Sequence, residues 1–194
     1  MRNPPRSFGA RLRLAARRPS FGRARALAHD ESGATAVEFA LLLVPFLILF
    51  FGLFELGFVY FATLTLDEAV TGSGRQIRTG EVQTTGGTAA TFKTAVCKNM
   101  GLLTDMCPSA LRIDVRTVST FASTTSLTTP TNTCWDPGGP ASLVVVRAYF
   151  DWPLIVPLLS QALETANGKR TLTSATAFVN EPYNNTTASA VTCP

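Results

Sequence analysis

A long apolar run near the N-terminus constrains this chain most. From Phe39 to Leu66 the sequence reads FALLLVPFLILFFGLFELGFVYFATLTL, 28 residues in which Glu55 is the only ionisable side chain. As an α-helix this run is about 42 Å long, whereas the hydrocarbon core of a bilayer is about 30 Å thick. A cleavable secretory signal has a shorter apolar region that ends in small residues. The run therefore predicts a single transmembrane span at about residues 39–66 that is retained.

The charges are divided unevenly along the chain. Residues 1–33 contain eight arginines and only two acids, a net charge of +6, whereas residues 34–194 carry a net charge of −2. We interpret residues 1–33 as a basic leader that is too polar to bury a core. Arginines beside a span are retained in the cytoplasm, so we expect a cytoplasmic N-terminus and an exported C-terminal domain. The remaining chain has no basic excess for binding nucleic acid.

The helix is predicted to continue beyond the membrane. Apolar or small side chains recur every three or four residues, at Leu66, Ala69, Val70, Ser73 and Ile77. We place the helical segment at residues 34–80, with its end near Thr79 and Gly80 as the stop. The stretch TTGGTAAT at 84–91 suggests a flexible connection. Pro45 lies within the span, where membrane helices tolerate proline, and we expect a kink there.

Residues 81–194 are predicted to form a small exported α+β domain. Apolar periodicity and turn residues predict helices at 91–101 and 154–166, strands at 111–121, 142–152 and 171–180, and a long loop at 122–141. Two acids, Asp114 and Asp151, flank these strands, and we interpret them as solvated strand ends. The predicted helices would cover one face of the sheet.

All four cysteines lie beyond the span, at Cys97, Cys107, Cys134 and Cys193. An even number on the exported side favours two disulfides, for which three connectivities are possible. A bond between Cys97 and Cys107 closes a short loop and is favoured, which leaves Cys134 for Cys193. No C-x-x-C pair is present, so we predict no metal site.

The sequence lacks the usual signs of catalysis. The only histidine, His29, lies in the leader, which removes Ser-His-Asp and Cys-His systems from the exported part. Neither a P-loop nor a dinucleotide-binding glycine motif is present. We therefore predict a protein that is not an enzyme, with no catalytic residues and no cofactor.

Two acids lie in or beside the span. A charge at the centre of a bilayer costs about 2.5–3.5 kcal/mol on insertion scales, so Glu38 and Glu55 each need an edge position or a partner. They are separated by 17 residues, or about 26 Å of helix. We expect Glu38 at the cytoplasmic boundary, and we expect Glu55 to face a partner helix or the outer interface.

The order of these features resembles a known family. Gly33 followed by ATAV, Glu38 and Phe39, after a basic leader and before a span, resembles the processing site of type IVb prepilins and pseudopilins. The stretches LFELGFVYFATLTLDEAV, RQIRTG, VVVRAYFDWPL and FVNEPY, together with the cysteines near 97 and 107, are similar to the TadE family. Proteins of this family take part in assembling tight-adherence (Flp) pili. The resemblance covers roughly residues 30–183.

The resemblance implies a pilin-like fold with an antiparallel sheet and a role as a minor pseudopilin. A dedicated prepilin peptidase would cut between Gly33 and Ala34. Glu38 would become the fifth residue of the mature chain and meet the amino terminus of a neighbouring subunit, and Phe39 and Glu55 would also serve assembly. The implied partners are the peptidase, other pseudopilins and pilins, and inner-membrane lipid, with the exported domain in the periplasm. The alternative is an uncleaved, signal-anchored scaffold or receptor domain. The sequence leaves open whether the protein enters the filament or stays at its base.

Overall fold

The computed structural model describes residues 32–125, 132–184 and 193. The predicted leader up to residue 31 and part of the predicted loop, residues 126–131, lie outside the described residues. The helices are α1 (Ser32–Arg78), α2 (Glu81–Thr84), α3 (Ala89–Lys98), a 3-10 turn (Gly101–Leu103), α4 (Cys107–Ala110), α5 (Ala122–Thr125) and α6 (Pro157–Leu163). The strands are β1 (Leu111–Val118), β2 (Leu143–Pro153) and β3 (Lys169–Val179). The predicted α+β class, a long apolar helix followed by a small domain, is confirmed.

The chain divides into two compact units, residues 1–45 and residues 46–194. Within the described residues, the first unit consists of the beginning of α1, which includes Pro45. The second unit contains the rest of α1 together with the sheet and the short helices. The part of α1 from residue 46 onward is therefore an element of the folded domain.

Helix α1 is 47 residues long and carries the predicted span. It is the one described helix that is long and apolar enough to cross a membrane. The helix ends at Arg78, close to the predicted end, and Gly80 adopts a left-handed conformation with φ 79°. Arg75 and Arg78 lie in the last turn, where positive charge interacts favourably with the helix dipole.

The connection predicted to be flexible at 84–91 overlaps two helices, and only residues 85–88 lie between them. Helix α2 includes Thr84, and Thr88 forms a capping box at the start of α3. The N–H of Thr88 donates to the Thr91 hydroxyl at 2.8 Å, and the N–H of Thr91 donates to the Thr88 hydroxyl at 3.3 Å. This reciprocal pair satisfies N–H groups that a helix start would otherwise leave unpaired.

The three strands form one antiparallel sheet in the order β1-β2-β3. In this register Asp114 of β1 lies opposite Arg147 of β2, and Leu143 of β2 lies opposite Val179 of β3. Part of the predicted loop at 122–141 pairs with the sheet, because Trp135 forms a parallel bridge with Val115. Residues 134–136 thereby cover part of the outer edge of β1.

The core contains the predicted stripe of α1 together with apolar side chains of the sheet and α3. Leu66, Ala69, Val70, Ser73 and Ile77 are at most 1% exposed. Two polar contacts connect the same part of α1 to the domain. The Ser174 hydroxyl donates to Asp67 at 2.8 Å, and the Asn99 amide donates to Ser73 at 3.1 Å.

Two disulfides link the short elements, Cys97 to Cys107 and Cys134 to Cys193. The first bond joins the end of α3 to the start of α4, and the second joins the segment beside β1 to the C-terminal end of the chain. This pairing is the one that the spacing of the cysteines favours.

Candidate functional site: the apolar helix and its junctions

The segment predicted to be processed forms the first turns of α1. Gly33 and Ala34 are exposed, and a Cβ built on Gly33 would meet no atom within 4 Å. Glu38 lies one turn after Ala34 on the same side of the helix, and both Glu38 and Phe39 are exposed. In the described part of the chain no side chain pairs with Glu38. The roles assigned to these residues in processing and assembly remain predictions.

Glu55 occupies a different environment, with only 4% of its surface exposed. One carboxylate oxygen accepts a hydrogen bond from the main-chain N–H of Ile155 at 2.5 Å, and the other accepts from Val156 at 2.9 Å. These two residues immediately precede α6, whose first residue is Pro157. Two main-chain donors thus satisfy a carboxylate that would otherwise be an unpaired buried charge.

The face of α1 that carries Glu55 is covered by the domain from Gly52 onward. Gly52, Glu55, Ala62 and Leu66 are buried and Val59 is half-buried, at a spacing of three or four residues. The expectation that Glu55 faces a partner helix or the outer interface stays a prediction. In the structure it faces residues 155 and 156 of its own chain, and an additional role in assembly stays a prediction.

A second junction fixes the end of α1. The Tyr183 ring lies against Gly80, where an added Cβ would come within 2.3 Å of the ring. The Tyr183 hydroxyl donates to the Gly138 carbonyl at 3.2 Å, and burial raises the pKa of this phenol above its usual value. Arg78 forms an ion pair with Glu181 at 3.2 Å, and its carbonyl accepts the Glu181 N–H. The FVNEPY stretch thus folds back onto the helix end.

Asp114 is a buried charge on the edge strand β1, and it is not a solvated strand end as the sequence suggested. It is completely buried and accepts hydrogen bonds from Arg116 at 3.0 Å and from Arg147 at 2.6 Å. The main-chain N–H of Cys134 also donates to it at 2.8 Å. The carboxylate therefore joins β1, β2 and the segment of the second disulfide, and it has no free position for a substrate.

Tyr149 lies in the same charged region of the sheet. Burial raises the pKa of its phenol, and the negative charge of Asp114 raises it further, while Arg147 acts in the opposite direction. The Arg112 guanidinium lies 5.7 Å from the centre of the Tyr149 ring. These contacts are typical of a packed structural cluster.

The described residues contain no group of three or more His, Cys, Asp or Glu side chains that could hold a metal ion. The four cysteines are all engaged in disulfides. The organised polar groups of the described chain are therefore those that attach α1 to the domain and hold the sheet together.

Comparison with known proteins gives one match. The model of the TadE-like protein family matches residues 33–75, which include Gly33, Glu38 and Glu55. The predicted resemblance to this family is confirmed for that segment. No curated protein and no solved structure matches the chain.

Proposed function

We propose that this chain, whose residues 33–75 are TadE-like, is a minor pseudopilin of the tight-adherence pilus system. It loses residues 1–33 and then takes part in assembling or anchoring the pilus. The observation that carries this proposal is the position of the family match, which begins at Gly33, the glycine of the predicted processing site. The TadE-like family is a structural one and is not known for enzymes, which agrees with a role in assembly.

Processing requires a peptidase to reach the bond between Gly33 and Ala34. Support comes from the exposure of both residues and from the open space around Gly33. Glycine suits such a site because, without a side chain, its backbone can approach another protein closely. We assign the cut to a prepilin peptidase, which would leave Ala34 as the new amino terminus.

Glu38 acts after cleavage, when a neighbouring subunit supplies an amino terminus. Its carboxylate is exposed on α1 and has no partner among the described residues. Pairing with an amino group would offset two charges that otherwise lie unpaired near lipid. Phe39, which is 64% exposed, adds an apolar contact surface beside that pair.

The proposed location is the inner membrane, crossed once by α1, with the N-terminus in the cytoplasm. The apolar exposed surface of α1 supports the span, and the arginines of residues 1–33 support the orientation. The two disulfides agree with a periplasmic domain, because that compartment is oxidising.

The test is a deletion strain complemented with the wild-type chain. Loss of surface pili on deletion and their return on complementation are the expected results. Sheared filaments and washed membranes are then probed separately for the chain, which shows whether it enters the filament or stays at the base. Normal piliation in the deletion strain would contradict the proposal and favour an unrelated membrane-anchored scaffold.

A further inference from the structure

Two apolar side chains of the domain are unusually exposed. Leu102, in the 3-10 turn after α3, is 89% exposed, and Ile155, between β2 and α6, is 75% exposed. Both values exceed those of every large apolar side chain on α1. An isolated exposed leucine needs no explanation, but these two lie beside the same stretch of α1.

Leu102 belongs to an open apolar groove of about 570 Å³ along α1, whose other lining residues are Leu53, Phe54, Gly57, Phe58 and Phe61. None of the described residues that line this groove carries a charge. Ile155 is placed beside the helix by the hydrogen bond from its N–H to Glu55. The domain therefore presents two apolar tips at the level of residues 53–61 of α1.

Part of the stretch 53–61 lies within the length of helix that crosses a bilayer. About twenty helical residues cross the hydrocarbon core, and twenty residues counted from Phe39 end at Phe58. Phe54 and Phe58 are each more than half exposed. The groove is thus continuous with the apolar surface of the span, and the domain attaches to α1 before that surface ends.

The buried position of Glu55 makes lipid a suitable neighbour at this level. Glu55 is the only Asp, Glu, Lys, Arg or His between Phe39 and Leu66, and its carboxylate accepts hydrogen bonds from Ile155 and Val156. The remaining faces of α1 at this level are apolar, so acyl chains can pack against them without leaving a charge unpaired.

We propose that Leu102 and Ile155 insert among the acyl chains of the outer leaflet, so that the domain is partly embedded in the membrane surface. This inference rests on the proposed membrane location of α1. In this arrangement a lipid acyl chain occupies the groove. Leu102 and Ile155 then attach the domain to the membrane in addition to α1.

The experiment replaces Leu102 or Ile155 of the full-length chain with tryptophan. Each variant is placed in vesicles whose lipids carry bromine on their acyl chains, because bromine quenches tryptophan fluorescence. Leu102→Trp and Ile155→Trp are compared with Phe121→Trp as control. Phe121 is 57% exposed but follows the end of β1 that pairs with Leu143, away from the strand ends near Ile155. The fluorescence of the wild-type chain, which comes from Trp135 and Trp152, is subtracted from that of each variant.

The expected result is at least twofold stronger quenching at positions 102 and 155 than at position 121. A further variant, Phe50→Trp, reports on the span itself. If position 50 is not quenched, the proposed membrane location is wrong. If position 50 is quenched but positions 102 and 155 behave like 121, the insertion is wrong.

A second measurement uses the unmodified chain, so it does not depend on how the variants fold. Lipids with a photoactivatable group on the acyl chain should label peptides containing Leu102 and Ile155, located by mass spectrometry. Absence of label on both peptides, with label on α1, would overturn the proposal. The same holds if labelling disappears as the ratio of protein to lipid rises, because a second copy of the chain would then occupy the groove.

Discussion

Glu55 of the long helix accepts a hydrogen bond from the main-chain N–H of Ile155, one hundred residues later in the chain, at 2.5 Å. Its second oxygen accepts from the next N–H, that of Val156. The acid within the apolar run is therefore a structural contact between α1 and the loop that follows β2. It holds the domain against the helix at the point where the helix leaves the membrane in the proposed arrangement.

Removing the Glu55 carboxylate should loosen this junction. In Glu55→Ala the N–H groups of Ile155 and Val156 lose a charged acceptor, which should lower the free energy of unfolding by about 3–5 kcal/mol. Glu55→Gln keeps one acceptor oxygen and should lose about half as much. Thermal unfolding of the detergent-solubilised chain measures both effects. Glu68→Ala, which removes an exposed acid of the same helix, is the control, and equal unfolding midpoints for all four proteins would contradict this role.

Glu38 should matter only when subunits meet. Glu38→Ala should be cut normally and should insert into the membrane at least as well as the wild type, since a charge at the membrane boundary has been removed. Surface pili should nevertheless decrease, because the amino terminus of the neighbouring subunit loses its partner. Processing, insertion and piliation are compared in a strain that lacks the wild-type gene. Full piliation of the Glu38→Ala strain would show that the subunit-pairing mechanism is wrong for this protein.

Asp114 should be the most sensitive acid of the domain that contains the sheet. Asp114→Asn leaves the buried guanidinium of Arg147 without its negative partner, and breaking a buried pair in this way costs about 3–5 kcal/mol. Asp151→Asn is the matched control, because Asp151 is partly exposed and lies 3.4 Å from Arg112, so it should cost about 0–1 kcal/mol. Denaturant unfolding of the oxidised chain measures both. Similar losses for the two variants would argue against a structural role for the buried Asp114–Arg147 pair.

Tyr183 should make the domain sensitive to alkaline pH. Burial raises the pKa of its phenol above 10.0, so the folded state favours the protonated form. This contribution to stability is present below pH 10 and is lost as the pH rises through the folded-state pKa. The unfolding temperature should therefore fall more between pH 8 and pH 11 in the wild type than in Tyr183→Phe. Parallel decreases in the two proteins would contradict this assignment.

The sequence predicts those features of the fold that depend on local periodicity. The stripe from Leu66 to Ile77 repeats every three or four residues, and the structure buries all of it. The strands are close to their predicted positions for the same reason, because alternation and β-branched residues are local signals. Helix α6 begins later than the predicted 154 because Val156 is extended and the N–H groups of Ile155 and Val156 donate to Glu55.

The contacts of Asp114 and Glu55 could not be predicted from local periodicity. Asp114 lies on the polar face of an alternating strand, and nothing near it in sequence indicates that Arg147 and Cys134 will cover it. Glu55 presents the same difficulty, since its partners are main-chain groups one hundred residues away and main-chain groups leave no side-chain signature. The FVNEPY stretch supports the family resemblance, but its contact with Gly80 becomes evident only in the folded chain.

The central claim is that this chain is a processed pseudopilin, and N-terminal sequencing of the membrane-derived protein tests it most directly. In cells with an active prepilin peptidase, the sequence should begin at Ala34. Gly33→Val should keep its leader. Gly72→Val, at a helical glycine that also has no atom within 4 Å of an added Cβ, should be cut normally. Recovery of the intact 20.8 kDa chain beginning at Met1 from such cells would contradict the account.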